Sequence, residues 1–490
     1  MLKKLFKESV VYGLSRYIGK FISVFLLPLY TAMLSPEDYG ILDLLGTITV
    51  VSIFLIISGT DTALGYFYYR KEFSSEKREM VSTALWLRII FSFAVFVIIM
   101  LFAKNLSFLI FGRDYSLFII ITGLTIIFSS IYSFLFDLLR FEIKPWLYTI
   151  ISTGVILAQI LLNIYFVLIL KKGVYGVLVA NGIGYFIFFS ITIFYVFKNY
   201  GAKLSKIWGK RIFTYGFPLI GTGIAVWILS SSDRYFLAHY ADLSAVGIYA
   251  VGMKIASFLG MIAGAIQLAW GPFAANIQYE PNAKDIYKKV FLLFFLINVI
   301  AVFFISMFSI DILKVFTQPA YYTAKAVVPF LCFATVLQSG YFIVCIGIGL
   351  TKKAQHTVWI TSVAAAVNLV MNFFLTPLYG ALGASFSLMI AYALIFILTL
   401  IMSQKNYPIP YTYEKVLAIF IPAAIIIGVT YYYNIKILPR IIISLVFSVI
   451  SGFYLYRTYK DSEEFKSFFN KVKKIRIYTF KQPDRNNIDI

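Results

Sequence analysis

Ser9–Leu34 reads SVVYGLSRYIGKFISVFLLPLYTAML. About 20 apolar residues rising ~1.5 Å each cross the ~30 Å hydrocarbon layer, and this run is long enough to do so. Yet Arg16 and Lys20 stand near its middle. Each charge there costs roughly 2.5–3.5 kcal/mol on the insertion scale. Their four-residue spacing places both on one helical face. That face is expected to line a wet cavity or meet an anion. Snorkelling of Arg16 toward the inner interface is the competing reading. The run ends in Leu34-Ser35-Pro36-Glu37-Asp38-Tyr39-Gly40, a sharp polar turn into a second apolar run.

The surrounding composition agrees with membrane insertion. Of 490 residues, 61% are hydrophobic, and mean hydropathy is +0.86, whereas soluble domains are nearer 45–50% apolar. The chain is therefore expected to be a polytopic membrane protein. The first run is too long for a signal-peptide core and no small-residue cleavage site follows it, so no cleavable signal is expected. Lys and Arg number 43 against 22 Asp and Glu, a formal net charge of +21. In a soluble chain that excess would suggest nucleic acid. Here it is expected in cytoplasmic loops facing anionic lipids, with no nucleic-acid partner. Cys332 and Cys345 share one predicted helix, ~20 Å apart along its axis, too far to pair. His239 and His356 are remote in sequence. No metal-ligand spacing occurs, and neither a metal site nor a catalytic residue is expected.

Apolar runs broken by polar segments predict about 14 spans, near 9–34, 37–63, 80–103, 115–139, 145–170, 174–197, 212–236, 243–272, 286–309, 323–350, 355–376, 380–403, 414–433 and 437–457. With a cytoplasmic N-terminus, roughly 30 Lys and Arg fall inside and roughly 9 outside. That asymmetry predicts both termini in the cytoplasm. The longest internal loops, 64–79, 198–211 and 273–285, lie on the inner side, and no large outer domain is expected.

An internal repeat is legible. Tyr12-Gly13 returns at Tyr215-Gly216, and Tyr39-Gly40-Ile41 at Val246-Gly247-Ile248. Ser130-x-Tyr132 returns at Ser339-x-Tyr341, Lys144 and Asn163 at Lys353 and Asn372, and Gly173-x-x-Gly176 with Tyr185 at Gly380-x-x-Gly383 with Tyr392. The offsets are all roughly 203–209 residues. The unit holds six spans, an even number, so both copies keep one orientation and are related by an axis along the membrane normal. The expected organisation is all-α: an N-lobe over 1–200, a C-lobe over 201–405, two further helices over 406–459, and a basic tail over 460–490. In the tail, Phe465, Phe468, Phe469 and Val472 share one face opposite lysines, predicting an interfacial amphipathic helix. Residues 481–490 are expected to be disordered.

Two six-span lobes plus two helices resemble the polysaccharide-transport branch, with its Wzx-type repeat-unit flippases, of the multidrug/oligosaccharidyl-lipid/polysaccharide exporter superfamily. The resemblance is carried by Leu34-Ser35-Pro36-Glu37-Asp38-Tyr39-Gly40, Asp233-Arg234, Val246-Gly247-Ile248-Tyr249, and Asn372…Pro377-x-x-Gly380-x-x-Gly383-Ala384, and covers nearly the whole chain. It implies a bacterial inner-membrane flippase moving an undecaprenyl-diphosphate-linked oligosaccharide from inner to outer leaflet by alternating access. It also implies handover to and from polysaccharide polymerases and glycosyltransferases. The lipid II flippase resembles this chain in having cations in its first span, an acid in the second and a cation in the eighth. The matching residues are Arg16, Lys20, Asp43 and Lys254.

Moving an anionic sugar diphosphate through hydrocarbon unaided is prohibitive. A hydrated cationic path is needed, and the intramembrane cations are Arg16, Lys20, Arg88 and Lys254. These four are the candidate substrate-binding residues. Arg suits bidentate phosphate contacts, and Lys acts as a point charge. Arg88 lies close enough to the inner side to snorkel. Asp43 is expected either to pair with Lys254 or Arg16 or to couple transport to a proton or sodium gradient. Asp61 and Asp137 near inner ends, and Asp233-Arg234 at an outer end, are expected in surface or inter-helix pairs. Pro28, Pro218, Pro329 and Pro422 are expected inside helices, where each removes a hydrogen bond and permits a bend. The alternatives are a drug/cation antiporter of the same superfamily, or a membrane polymerase or glycosyltransferase. The cationic path and the two extra helices weigh against the former. Short outer loops without a carboxylate pair weigh against an enzyme.

Overall fold

A computed structural model describes residues 26–351, 355–433 and 435–459. Arg16, Lys20, Lys353 and the tail after 459 lie outside the described residues. The helices are α1 (Leu27–Met33), α2 (Pro36–Ile57), α3 (Thr60–Tyr68), α4 (Lys77–Phe111), α5 (Ser116–Phe141), α6 (Pro145–Asn163, continued by a π-helical turn Ile164–Ile169), α7 (Gly173–Tyr200), α8 (Lys206–Gly216) and α9 (Ile220–Tyr240). They continue as α10 (Leu243–Asn276), α11 (Ala283–Met307), α12 (Ser309–Phe316), α13 (Val328–Val344), α14 (Ile346–Leu350), α15 (Gln355–Tyr379), α16 (Ala381–Asn406), α17 (Tyr413–Tyr432) and α18 (Ile437–Tyr459). No strand occurs among the described residues.

Among these residues, twelve helices are long and apolar enough to cross a membrane. The two remaining expected spans have separate explanations. The first lies mostly outside the described residues. The seventh is present as α9, a 21-residue helix, but Ser230-Ser231-Ser232-Asp233-Arg234 lowers its hydropathy.

The chain separates into two compact units, residues up to 412 and residues from 413 onward. In the first unit, α5 packs on α7 and α6 on α7, while α13 packs on α16 and α15 on α16. These are the same pairings one repeat later. The backbone repeats as closely: Gly173 has φ +54° and Gly380 has φ +53°, a left-handed conformation that L side chains rarely adopt. Asn163 and Asn372, one repeat apart, are both fully buried. Each amide donates to the carbonyl one turn back, that of Gln159 (2.8 Å) or Asn368 (3.0 Å). Helix pairings and backbone details within this unit thus recur at the spacing of the sequence repeat. In the second unit, α17 and α18 enclose an apolar groove of ≈ 280 Å³ lined by residues including Pro422, Ile426, Phe447 and Tyr454.

Three prolines expected inside helices sit at boundaries instead, Pro28 among them in the first turn of α1. Pro218 lies in the short 3₁₀ turn Phe217–Leu219 between α8 and α9, and Pro329 occupies the first turn of α13. These positions tolerate the missing N–H. Pro272, Pro377 and Pro422 are the prolines in helix interiors among the described residues. The second span also ends earlier than expected. Ser58 (φ +44°) and Gly59 (φ +69°) break it before α3.

Candidate functional site

The lobes meet through α2 and α10, and the sequence explains why these two helices start where they do. Ser35 accepts from the Asp38 N–H (3.1 Å), and the Asp38 carboxylate accepts from the Ser35 N–H (3.1 Å). That reciprocal pair is a capping box, and Pro36 in the first turn has its φ preset for helix. One repeat later the Asp242 carboxylate accepts from the Ala245 N–H (2.6 Å) and starts α10. About a turn further in, Gly40 and Gly247 face each other. A Cβ on Gly40 would lie 2.0 Å from the Leu243 carbonyl oxygen, and one on Gly247 1.9 Å from that of Pro36. The contact is self-complementary, each residue meeting its repeat counterpart's neighbour, as two-fold symmetry requires. Hydrogen bonds from Tyr321 to the Leu34 carbonyl (2.9 Å) and from Thr31 to that of Phe316 (3.2 Å) flank this seal.

Residues 40, 43 and 47 share one stripe of α2, and the whole stripe meets the second lobe. Asp43 accepts from Arg234 Nε on α9 (3.0 Å). Thr47 and Tyr235 share a hydroxyl hydrogen bond (2.7 Å), and Trp227 Nε1 donates to the Thr47 carbonyl (3.0 Å). Arg234 is 8% exposed. Its guanidinium also donates to the Ser230 carbonyl (2.5 Å) and lies 5.2 Å from the Tyr249 ring centre. Lys254, two turns beyond Gly247 on α10, is half-buried within the field of Asp43. The direct partner of Asp43 is therefore Arg234, with Lys254 nearby as a second cation. The pair joins the two lobes across the seam.

Asp233 precedes Arg234 and points about 100° around the helix, into the second lobe. It is fully buried and accepts from Tyr249 (2.6 Å) and Asn372 (2.8 Å). Thr376 donates to the Asn372 side-chain oxygen (2.9 Å), and Ser232 to that of Asn368 (2.8 Å). A buried carboxylate is retained when donors or a positive charge replace water. The sequence predicts Asp233 in a surface or inter-helix pair at an outer end, whereas the structure encloses it in an inter-helix hydrogen-bond network. The available signal was an acid within a helix otherwise read as a span, with the motif Asn372 a repeat away from Asn163.

Arg88 is not at the seam. It is fully buried inside the first lobe, paired with Asp61 and donating to the Ser130 carbonyl (2.9 Å) and Ser133 Oγ (3.0 Å). These acceptors, together with the Phe134 ring 5.4 Å away, use its charge internally and leave no exposed face for a substrate. Asp137 pairs with Arg140 (2.8 Å).

At the opposite end the lobes also touch. Here Arg70, Lys71, Arg78, Lys198, Lys206 and Lys210 are exposed, and this is termed the basic end. A Cβ on Gly216 would lie 2.5 Å from the Ser58 carbonyl oxygen, and Tyr66 stacks on Tyr215 with centroids 4.7 Å apart. The charged seam thus lies between two end seals. No group of His, Cys, Asp and Glu suited to a metal ion occurs among the described residues.

Comparison with known proteins gives matches of three kinds. The family model described as "Polysaccharide biosynthesis protein" matches residues 31–326. The Lsg locus protein 1 of Haemophilus influenzae is 24% identical over 314 residues, covering 60% of this chain and 73% of that protein. Among solved structures, the lipid II flippase MurJ in an inward closed conformation superposes with a TM-score of 0.73 at 14% identity, covering 92% of this chain and 99% of that one. An inward-facing multidrug resistance MATE family transporter of the MOP superfamily gives 0.62 at 15% identity, covering 80% and 97%. At these identities the two structures share the fold.

Proposed function

Because the chain belongs to the polysaccharide biosynthesis protein family, we propose that it is a flippase carrying an undecaprenyl-diphosphate-linked oligosaccharide from the inner to the outer leaflet. The observation that carries this reading is the seam. Charged residues from both lobes, Asp43, Arg234 and Lys254, converge at membrane depth between two repeat-related halves. Such charges are costly in lipid and mark transport paths. In this reading Lys254 and the first-span cations Arg16 and Lys20 receive the diphosphate, and the lobes rock about the α2–α10 contact. Drug/cation antiporters share the fold, but cations at the seam favour an anionic substrate. Asp43 and the buried Asp233 are the acids through which a proton or sodium gradient would drive the cycle. The cluster of exposed cations at one end supports a bacterial inner-membrane setting with that end in the cytoplasm. Glycosyltransferases would then load the protein on that side, and a polymerase would take the product on the other.

The test is complementation of a deletion strain. Lys254→Ala, and Arg16→Ala combined with Lys20→Ala, are expected to reach the membrane at parental levels yet restore under a tenth of surface polymer. Full restoration by both would assign these cations a structural role.

A further inference from the structure

The helix joining the two lobes, α8, has one face fully engaged. Trp208 and Ile212 are buried in the hydrophobic core of the first lobe beside Phe67 and Phe73. Trp208 Nε1 donates to Glu76 (2.8 Å), and the Ser205 N–H to Thr83 (3.0 Å). The other face is largely open, with one ring contact from the first lobe, Phe91 on Phe213 at 5.8 Å between centroids. Lys206, Lys210, Phe213 and Phe217 recur at i, i+4, i+7 and i+11, a single stripe, and all four are exposed. The stripe is graded, with cations at its start and phenyl rings at its end. Lys206 and Lys210 repel each other at i, i+4, and no carboxylate pairs with either among the described residues. At the same end Lys203 pairs with Glu79 and Lys144 with Glu142, whereas Lys206 and Lys210, like Lys71 and Lys198, have no carboxylate partner among the described residues.

We infer that this stripe binds anionic phospholipid, with the headgroup phosphate on Lys206 and Lys210 and the acyl chains against Phe213 and Phe217. The grading from charge to ring follows the polarity gradient of a bilayer interface, which is how amphipathic helices bind. Charge complementarity selects an anionic over a zwitterionic headgroup. The helix ends at Gly216, whose backbone closes on Ser58 and Gly59. Lipid bound along α8 therefore holds the basic-end seal shut. This second step rests on the transport reading, and the binding step does not.

The binding step is tested on the purified full chain in nanodiscs by counting retained phosphatidylglycerol with native mass spectrometry. A cation in contact with the bound headgroup contributes roughly fivefold in affinity, so Lys206→Gln with Lys210→Gln should weaken retention about 25-fold. Lys71→Gln with Arg78→Gln, exposed at the same end but outside α8, should change it less than threefold. Equal retention by parent and α8 variant, or equal losses in both variants, overturns the site. For the seal, Tyr66→Cys with Tyr215→Cys in a Cys332→Ala, Cys345→Ala background should cross-link several-fold faster with phosphatidylglycerol than with phosphatidylcholine alone. The Lys206→Gln, Lys210→Gln change should erase that difference. Lipid-independent cross-linking would overturn the control of the seal while leaving the transport reading intact, since neither measurement uses the glycan substrate.

Discussion

Gly247→Val should abolish surface-polymer export while leaving membrane insertion near parental levels. The Cβ alone would sit 1.9 Å from the Pro36 carbonyl oxygen, and the obstructing atom is backbone in a capped helix turn. It cannot swing aside as a side chain would. The two helices must separate by more than 1 Å, and interiors near close packing do not absorb such shifts locally. Gly40→Ala should act alike, because its Cβ meets the Leu243 carbonyl at 2.0 Å. The direct readout is a cross-link between Tyr39→Cys and Tyr321→Cys, whose native rings lie 6.1 Å apart. It should form readily in the otherwise parental protein and fall at least tenfold with Gly247→Val. Unchanged cross-linking and export would show that the two lobes need not approach closely here.

The second large effect is expected at the ion pair between the lobes. Removing one partner of a buried pair leaves an uncompensated charge and typically costs about 3–5 kcal/mol. Arg234 is the more enclosed member, with side-chain exposure of 9% against 25% for Asp43. Arg234→Ala should therefore leave Asp43 facing Lys254 alone and weaken the closed seam. Asp43→Ala should instead strand Arg234 among Ser230 and the Tyr249 ring. Each single change should reduce export at least tenfold. Asp43→Arg combined with Arg234→Asp should recover a measurable part of it. No recovery, with both proteins correctly inserted, would mean that Asp43 acts on the transported ion or substrate rather than as a partner. Asp43→Asn would then alter dependence on the proton or sodium gradient.

Much of this architecture is written locally in the chain. The helix start at Ser35-Pro36-Glu37-Asp38 carries its own cap, and the repeat spacing anticipates the matching φ of Gly173 and Gly380. The same spacing pairs Gly40 with Gly247, although only the folded chain shows that these counterparts touch. Partners across the fold were less legible. Depth alone marks Arg88 as costly, but Asp61, whose carboxylate takes that charge, is far away in sequence. Likewise Asp43 meets Arg234 because α9 turns that residue toward α2, a rotation that hydropathy does not encode. Consecutive residues Asp233 and Arg234 face different lobes for the same reason. Pro218 reads as a helix-interior residue because the apolar run continues across the turn between α8 and α9.

Export itself is tested most directly by extracting lipids from a deletion strain and analysing them by mass, with the exposed leaflet probed by an impermeant reagent. Accumulation of a polyprenyl-diphosphate oligosaccharide shielded from the reagent, reversed by the parental gene and not by Gly247→Val, is the expected result. Equal labelling of that intermediate with and without the gene, in cells lacking any other exporter for it, would contradict the assignment.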